Sequence, residues 1–440
     1  MKKEVDILLC GGLVVTMDSF GTIYDQGAIA ISNGTIVELG EEEEIVSRFF
    51  GRENIEVSGC VIMPGLVNVH THSPMTIFRG LADDLPLMTW LTEHIFPAEK
   101  KINREIVFKG ALLACAEMIL GGITTFVDMY LFADQVAAAA KEAGMRALIG
   151  EVLYDFPSPN YGPPEKGLEF TENLIKEWSE DNLISVAVEP HAVYTCSPDL
   201  LKRCHLLAQK YEVPFIIHLS ENDDEVKQVK ERYGKTPVEH VDSLELLDSK
   251  FVGVHCVKLS QNDMDLLAKS NARVAHNPES NMKLVSGISP VPELIERGIV
   301  VGLGTDGCAS NNDLDMWGEM DTCAKLHKVA TGDPTVMPAE QVVRMATIEG
   351  ARVIGMEDSI GSLAPGKKAD VIVVDFHKPH LTPMYNVYSH LVYAVSASDV
   401  KMTIVNGKIV MQDGEVKTLD LEQVMNDVAR IAKSVIKPVS

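Results

Sequence analysis

The sequence predicts a (β/α)8 barrel joined to a small β-sandwich that the two chain ends build together. Two observations carry this. Between roughly residues 60 and 360, near-continuous apolar runs alternate with helical stretches, the pattern of a parallel sheet covered on both faces by crossover helices. Outside that region the two ends resemble each other. Each places an Asn-Gly pair between alternating stretches, at Asn33-Gly34 and Asn406-Gly407, which signals a type I′ hairpin. The expected division is residues 1–60 with 363–440 for the sandwich and 61–362 for the barrel. A chain of 440 residues is long enough for both.

In chain order, residues 27–40 read as two strands of the first hairpin. Eight barrel strands follow, at 65–72, 124–128, 147–153, 185–191, 214–220, 251–256, 272–276 and 300–305. Eight such units in this length fit a closed barrel. An open doubly wound sheet is the structural alternative, but no Gly-rich dinucleotide loop follows the first strand. Strands at 369–376 and 400–416 return to the sandwich, and the helical spacing of 419–437 predicts a closing helix.

Composition narrows the partners. With 46% hydrophobic and 23% charged residues the chain has the make-up of an ordinary globular enzyme. A formal charge of −24 would be repelled by a nucleic-acid backbone or an anionic membrane, so neither is expected as a partner. No run approaches the roughly 20 apolar residues of a membrane-spanning helix, and the first residues lack a signal-peptide pattern. The eight cysteines are scattered with no Cys-x-x-Cys pair, which suits reduced, buried thiols and a cytoplasmic location.

The polar residues at the strand ends point to chemistry, because a barrel builds its active site there. The first strand ends in His70-Thr71-His72, the fourth reaches His191, and the fifth ends His218-Leu219-Ser220-Glu221. The sixth carries His255, the seventh His276, and the eighth ends Gly304-Thr305-Asp306-Gly307. Any one of these histidines alone reads as a satisfied core residue; together they converge on one rim. His70 and His72 lie two apart on a strand and face the same way, which is chelating geometry. His218 and Asp306 complete three imidazoles and a carboxylate, a set that suits zinc with room for a water. Iron(II), manganese and cobalt fit the same donors, and the sequence does not choose among them. Such a metal makes its water a nucleophile near neutral pH. Asp306 is placed to take the water's proton, Glu221 to protonate a substrate ring nitrogen, and His255 to orient the nucleophile or stabilise developing charge. On spacing alone Glu221 reads equally as a solvated loop carboxylate, since Asn222-Asp223-Asp224-Glu225 follows it.

The motifs Pro64-Gly65-Leu66-Val67-Asn68-Val69-His70-Thr71-His72, His218-Leu219-Ser220-Glu221, His255-Cys256, His276-Asn277-Pro278 and Gly304-Thr305-Asp306-Gly307 resemble, in order and placement, the amidohydrolase superfamily. The fourth strand, Ser185 to His191, holds no lysine to bridge two ions, which implies the one-metal subgroup and its aminohydrolases. Finer features resemble the 5-methylthioadenosine/S-adenosylhomocysteine deaminases. The resemblance implies zinc-dependent removal of the 6-amino group of an adenine nucleoside, giving an inosine-type product and ammonia. A same-fold enzyme acting on guanine, another free base or a triazine is the alternative, and a non-catalytic scaffold the remote one.

By the same resemblance Trp90 packs on the nucleoside, Glu99 binds the ribose hydroxyls and His191 touches the purine. Arg146 is expected near the 5′ substituent, and the chain is expected to form a homodimer or homotetramer. One departure stands out: no arginine occurs between Ala147 and Lys202, where the family binds a homocysteine carboxylate. Lys166 is the substitute on offer, but lysine lacks the bidentate fork. 5-Methylthioadenosine, adenosine or 5′-deoxyadenosine is therefore expected ahead of S-adenosylhomocysteine.

Overall fold

The computed structural model describes residues 2–85 and 89–435. Its barrel is built from two arcs of parallel strands. The first runs through β6 (Leu66–Thr71), β7 (Ile123–Tyr130) and β8 (Arg146–Leu153) to β9 (Ile184–Val186) and β10 (Glu189–Pro190), which both pair with β8. The second runs β11 (Phe215–Leu219), β12 (Phe251–His255), β13 (Arg273–His276) and β14 (Val301–Leu303). Every residue of β6, β7 and β8 is buried, as helix-covered parallel strands require.

The arcs are sewn together at two seams. At one, Ile216 N donates to Val188 O at 3.1 Å and His218 N to His191 O at 3.1 Å. At the other, Asp306 N donates to His70 O at 3.0 Å. The Asn68 amide reinforces that closure: its Oδ1 accepts from Thr305 N at 3.1 Å and its Nδ2 donates to Thr305 Oγ1 at 2.8 Å. The eight strand regions read from the sequence are therefore the eight staves of a closed barrel.

Strands from both ends form one nine-stranded sheet. It takes β1 (Lys3–Val15), β2 (Ile23–Ser32), β3 (Thr35–Glu41), β4 (Phe49–Glu56) and β5 (Cys60–Pro64) from the start, and β15 (Val371–Asp375), β16 (Val400–Val405), β17 (Lys408–Gln412) and β18 (Glu415–Val416) from the end. This sandwich closes over a core that includes Leu9, Ile29, Ile62, Val371 and Ile404. The two hairpin turns that look alike in sequence meet in space. Asn33, Gly34, Asn406 and Gly407 all have positive φ, at 52°, 76°, 48° and 74°, as type I′ turns demand. A Cβ on Gly34 would lie 2.9 Å from Asn406 Oδ1, so only glycine lets the turns approach.

The closing helix spans Leu421–Val435 and packs on the barrel helix Arg104–Leu120, with Lys109 Nζ 2.8 Å from Asp427 Oδ2. The last two residues of the expected helix, 436 and 437, lie outside the described residues. All eight cysteines are buried and unpaired. Among the described residues, no helix is long and apolar enough to cross a membrane.

Barrel and sandwich are locked by one buried ion pair. Arg146, the first residue of β8, donates from Nε to Asp370 Oδ2 at 2.7 Å and from Nη2 to Oδ1 at 3.1 Å. Its Nη1 caps Asn182 O at 2.7 Å, and the two side chains are only 7% and 2% exposed. Asp370 also accepts from Asn406 N at 2.7 Å, tying the second hairpin turn to the same point. Removing the arginine would strand a buried carboxylate. Arg146→Met is expected to destabilise the fold by about 3–5 kcal/mol in denaturant unfolding, and to leave kcat of the folded fraction unchanged.

A candidate metal centre beneath an apolar pocket

The closure of the barrel brings His70 and His72, from the first strand, against Asp306 from beyond the eighth. Asp306 Oδ1 lies 3.6 Å from His70 Nε2 and 3.2 Å from His72 Nε2. His218, on the fifth strand, faces them across the rim. One ring nitrogen from each of His70, His72 and His218 falls within 4.8 Å of the others.

The tautomers follow from second partners. His72 Nδ1 is 2.5 Å from Met129 O, and His218 Nδ1 is 2.8 Å from His191 O. Each Nδ1–H therefore donates to a backbone carbonyl and leaves the Nε2 lone pair free, the usual preparation of a metal-ligating imidazole. His70 is fully buried with neither ring nitrogen hydrogen bonded. Such an orphan is costly unless a ligand completes it. Three imidazoles and a carboxylate in this arrangement fit a single divalent ion of the zinc type.

The proton-handling candidates ring the same spot. Glu221 is buried beside the cavity, and its Oε1 accepts from Ser286 Oγ at 3.2 Å. Burial raises its carboxyl above the ordinary range; His255 opposes the rise and the Asp306 charge adds to it. A carboxyl that stays protonated closer to neutral pH suits a proton donor. His255 donates from Nδ1 to Asn281 Oδ1 at 2.9 Å, and its ring centre is 5.5 Å from that of His218. Asp306 Oδ2 accepts from Ser280 Oγ at 2.6 Å, while Gly307 N donates to Oδ1 at 2.8 Å.

Above the candidate metal ligands opens a cavity of about 820 Å³, its mouth included. Trp90, Glu99 and His191 all line it. Trp90 opens a π-helical turn, Trp90–Ile95, a local irregularity frequent at functional sites. Burial pushes the Glu99 carboxyl up to about 7, offset in part by the Tyr130 hydroxyl and His72. Burial pushes His191 down to about 4, so it meets a ligand as a neutral imidazole, with Nδ1 2.9 Å from Thr195 Oγ1.

Three residues singled out in the sequence are not brought here. Arg146 sits at the start of its strand, the opposite end of the barrel from the site, with its guanidinium spent on Asp370 and Asn182. It is a structural residue, and the expectation that it reaches the 5′ substituent is corrected accordingly. Lys166 is exposed on the helix Glu165–Trp178 and lines no wall of the cavity. His276, which ends the seventh strand, pairs with His327 at 3.1 Å between Nε2 atoms and is not one of the three clustered histidines; its buried Nδ1 has no hydrogen-bond partner. Sequence reading missed the aromatic wall, where Tyr154 stacks on Phe156 with ring centres 3.8 Å apart and planes 9° from parallel. It also missed Ser280, Asn281 and Ser286, which carry no motif of their own.

The metal set makes a direct prediction. The purified chain is expected to hold about one divalent ion by elemental analysis, and His218→Ala to hold well under half of that. Two ions per chain in the wild type would contradict the one-metal assignment.

Comparison with known proteins agrees with this geometry. The Amidohydrolase family model matches residues 61–410. A 5-methylthioadenosine/S-adenosylhomocysteine deaminase of Syntrophobacter fumaroxidans is 58% identical over 436 residues, covering 99% of both chains. A 5′-deoxyadenosine deaminase of Methanosarcina mazei is 43% identical over 437 residues, again covering 99% of each. Among solved structures, an adenosine deaminase from Xanthomonas campestris with bound zinc superposes with a TM-score of 0.97 at 37% identity, covering 99% of each chain. With the family model matched over most of the chain and relatives aligned from end to end, this chain belongs to the amidohydrolase family.

Proposed function

We propose that the chain is a zinc-dependent deaminase that converts the 6-amino group of an adenine nucleoside to the inosine-type product, releasing ammonia. The observation that carries this is one cluster of His70, His72, His218 and Asp306 at the floor of a cavity walled by Glu99, His191, Glu221 and His255. The relatives named for 5-methylthioadenosine/S-adenosylhomocysteine and 5′-deoxyadenosine deamination, and the zinc-bound adenosine deaminase structure, support it.

Zinc, which His70, His72, His218 and Asp306 would hold, would supply an acidified water as the nucleophile. Asp306 is placed to accept a proton from the attacking water, and Glu221 gives its proton to the ring nitrogen adjacent to the carbon bearing the amine, so that carbon becomes tetrahedral. His255 keeps the nucleophile in line and stabilises the charge that develops. Asp306 then passes its proton to the amine, which leaves as ammonia, and Glu221 recovers a proton from the new hydroxyl as the carbonyl forms. His191, neutral at pH 7, hydrogen bonds the purine, Trp90 packs on it, and Glu99 accepts from the ribose hydroxyls.

On the far side the cavity continues into a groove lined by Phe96, Leu131, Tyr154, Phe156 and the stiff stretch Pro157 to Pro159. Lys100 is the one cation on that wall among the described residues. An aromatic, proline-rich wall accepts a methylthio or methyl group without an unpaired charge, whereas a homocysteine carboxylate finds no bidentate partner. The preferred substrates are thus 5-methylthioadenosine, adenosine and 5′-deoxyadenosine. We also propose self-association to a dimer or tetramer, supported by Met282, Val285 and Ile288, which are 49%, 85% and 45% exposed. Cytoplasmic residence is supported by eight unpaired thiols.

The deciding experiment is ammonia release by the zinc-loaded protein from these nucleosides, S-adenosylhomocysteine, guanine, cytosine and an aminotriazine. Turnover of the adenine nucleosides alone is expected, with kcat/KM for 5-methylthioadenosine above that for S-adenosylhomocysteine by roughly tenfold or more. Equal efficiency on the two would remove the apolar-groove reading. Turnover of a free base would remove the ribose contact.

A pH dependence follows from Glu99. Its carboxyl titrates near 7 in the free enzyme, so below that pH it is protonated and a poor acceptor for two hydroxyls. KM for nucleosides is expected to fall as pH rises through about 7, and Glu99→Gln to raise KM and flatten the profile.

A further inference from the structure

Each of the three groups assigned to proton handling rests on a side chain from one short stretch after the seventh strand. Ser280 donates to Asp306 Oδ2 at 2.6 Å, Asn281 Oδ1 accepts from His255 Nδ1 at 2.9 Å, and Ser286 donates to Glu221 Oε1 at 3.2 Å. These targets leave three different strands, the eighth, sixth and fifth, yet their partners lie within seven positions of one another. All three partners are buried, at 0%, 0% and 2% exposure.

The stretch is itself tied down. Ser280 and Asn281 sit in the helix Pro278–Lys283, and Ser286 N donates back to Asn281 O at 2.9 Å, which ties the following loop to the helix. Ser289 Oγ donates to Cys256 O at 2.8 Å, anchoring the far end beside His255. Gly287, with φ 125°, makes the turn between them, and a Cβ there would crowd the Val257 side chain at 3.0 Å. Leu284, between Asn281 and Ser286, lines the substrate cavity.

We infer that Ser280, Asn281 and Ser286 are positioning residues through which the 278–289 segment sets Asp306, His255 and Glu221 in one common register for the reaction. The chemistry of each contact fits its task. Asn281 accepts from His255 Nδ1–H, which fixes the tautomer and turns Nε2 away from Asn281. Ser280 occupies the Asp306 oxygen that does not face His70 and His72, and so holds the carboxylate plane. Ser286 holds one Glu221 oxygen and leaves the other for the ring nitrogen. Hydrogen-bonded supports of this kind act by keeping a group within a fraction of an ångström of its productive position.

This inference rests on the roles proposed above for the three supported residues, and the test separates the two. Asn281→Leu is expected to lower kcat on 5-methylthioadenosine about 10- to 100-fold with KM nearly unchanged. Bound metal and the thermal unfolding midpoint report on the fold. Asn281→Asp keeps an acceptor and is expected to recover most of the lost kcat, which a packing role would not predict. In an His255→Ala background, Asn281→Leu is expected to cost nothing further, because a residue acting through His255 has nothing left to position. The parallel cycle of Ser286→Ala with Glu221→Gln gives the same decision should the Asn281 variants fold poorly. Additive losses in either cycle, or wild-type kcat in Asn281→Leu, would overturn the inference while leaving the deaminase reading intact. Full activity in His255→Ala would instead strike the catalytic assignment beneath it.

Discussion

The candidate metal site exists only because the barrel closes, and the closure is made by a few polar contacts between the first and last strands. Asn68 and Thr305 are 237 positions apart, yet the Asn68 amide satisfies both the backbone N–H and the hydroxyl of Thr305. One residue further along, Asp306 N binds His70 O, which sets the carboxylate against the two imidazoles of the first strand. The seam is dry: Asn68, His70 and Thr305 are all at 0% exposure. An amide–carbonyl bond gains strength there and tolerates little misalignment. Register between the two strands is thus register between the candidate ligands His70, His72 and Asp306. A slip at this seam would separate the donors rather than merely loosen the sheet.

The strand ends that carry the chemistry are bent out of regular geometry. Ser220, His255, Cys256 and Asp306 all take positive φ, at 53°, 70°, 47° and 62°. Non-glycine residues in that region cost about 1–3 kcal/mol each. Each bend is offset locally. Glu225 accepts from Ser220 N at 3.0 Å and Glu221 N at 2.7 Å, and Asn222 caps the helix that follows, so the exit of the fifth strand is held at three points. Cys256 is held by Ser289, and Asp306 by its own contact to Gly307 N and by Ser280. The bends turn the residues just past the strands inward over the metal ligands. That explains why Glu221 and Asp306, just past their strands, and His255, at the end of its own, are all buried.

Much of this architecture is legible in the sequence because its causes are local. A strand covered on both faces must be apolar throughout, so each barrel strand announces itself, and the polar residue that ends it marks the rim. The Asn-Gly turns are legible because their backbone admits few other pairs. β4 (Phe-Phe-Gly-Arg-Glu-Asn-Ile-Glu) was not, since a largely polar strand pairs in parallel with β1 only through tertiary context. β1 is broken by irregular register around Gly12, which disguises its alternation. Arg146 misled for a different reason. It stands at the first position of β8 whereas the site lies at the far ends of the strands, and only strand polarity reveals that. Ser280, Asn281 and Ser286 were invisible because a supporting hydrogen bond leaves no spacing pattern; its partner lies elsewhere in the chain.

The substrate side of the pocket follows the same division between a fixed floor and variable walls. The floor is made by strand ends, whose positions the barrel dictates. The walls come from segments the barrel leaves free: the turn carrying Trp90 and Glu99, and the loop from Tyr154 to Pro159. That loop is stiff for reasons of composition. Prolines at 157 and 159 restrict the backbone, Tyr154 and Phe156 stack face to face, and Ser158 and Gly162 exchange two backbone hydrogen bonds at 2.8 and 3.0 Å. A stiff aromatic wall is selective in one direction only. It adds little discrimination among small apolar substituents, since a methylene is worth only about 1–3 kcal/mol. A carboxylate that must be desolvated without a fork to receive it is penalised far more heavily. On the reading proposed above, specificity at the 5′ position would be written by what the wall lacks as much as by what it touches, and it could change between relatives without disturbing the candidate metal site below.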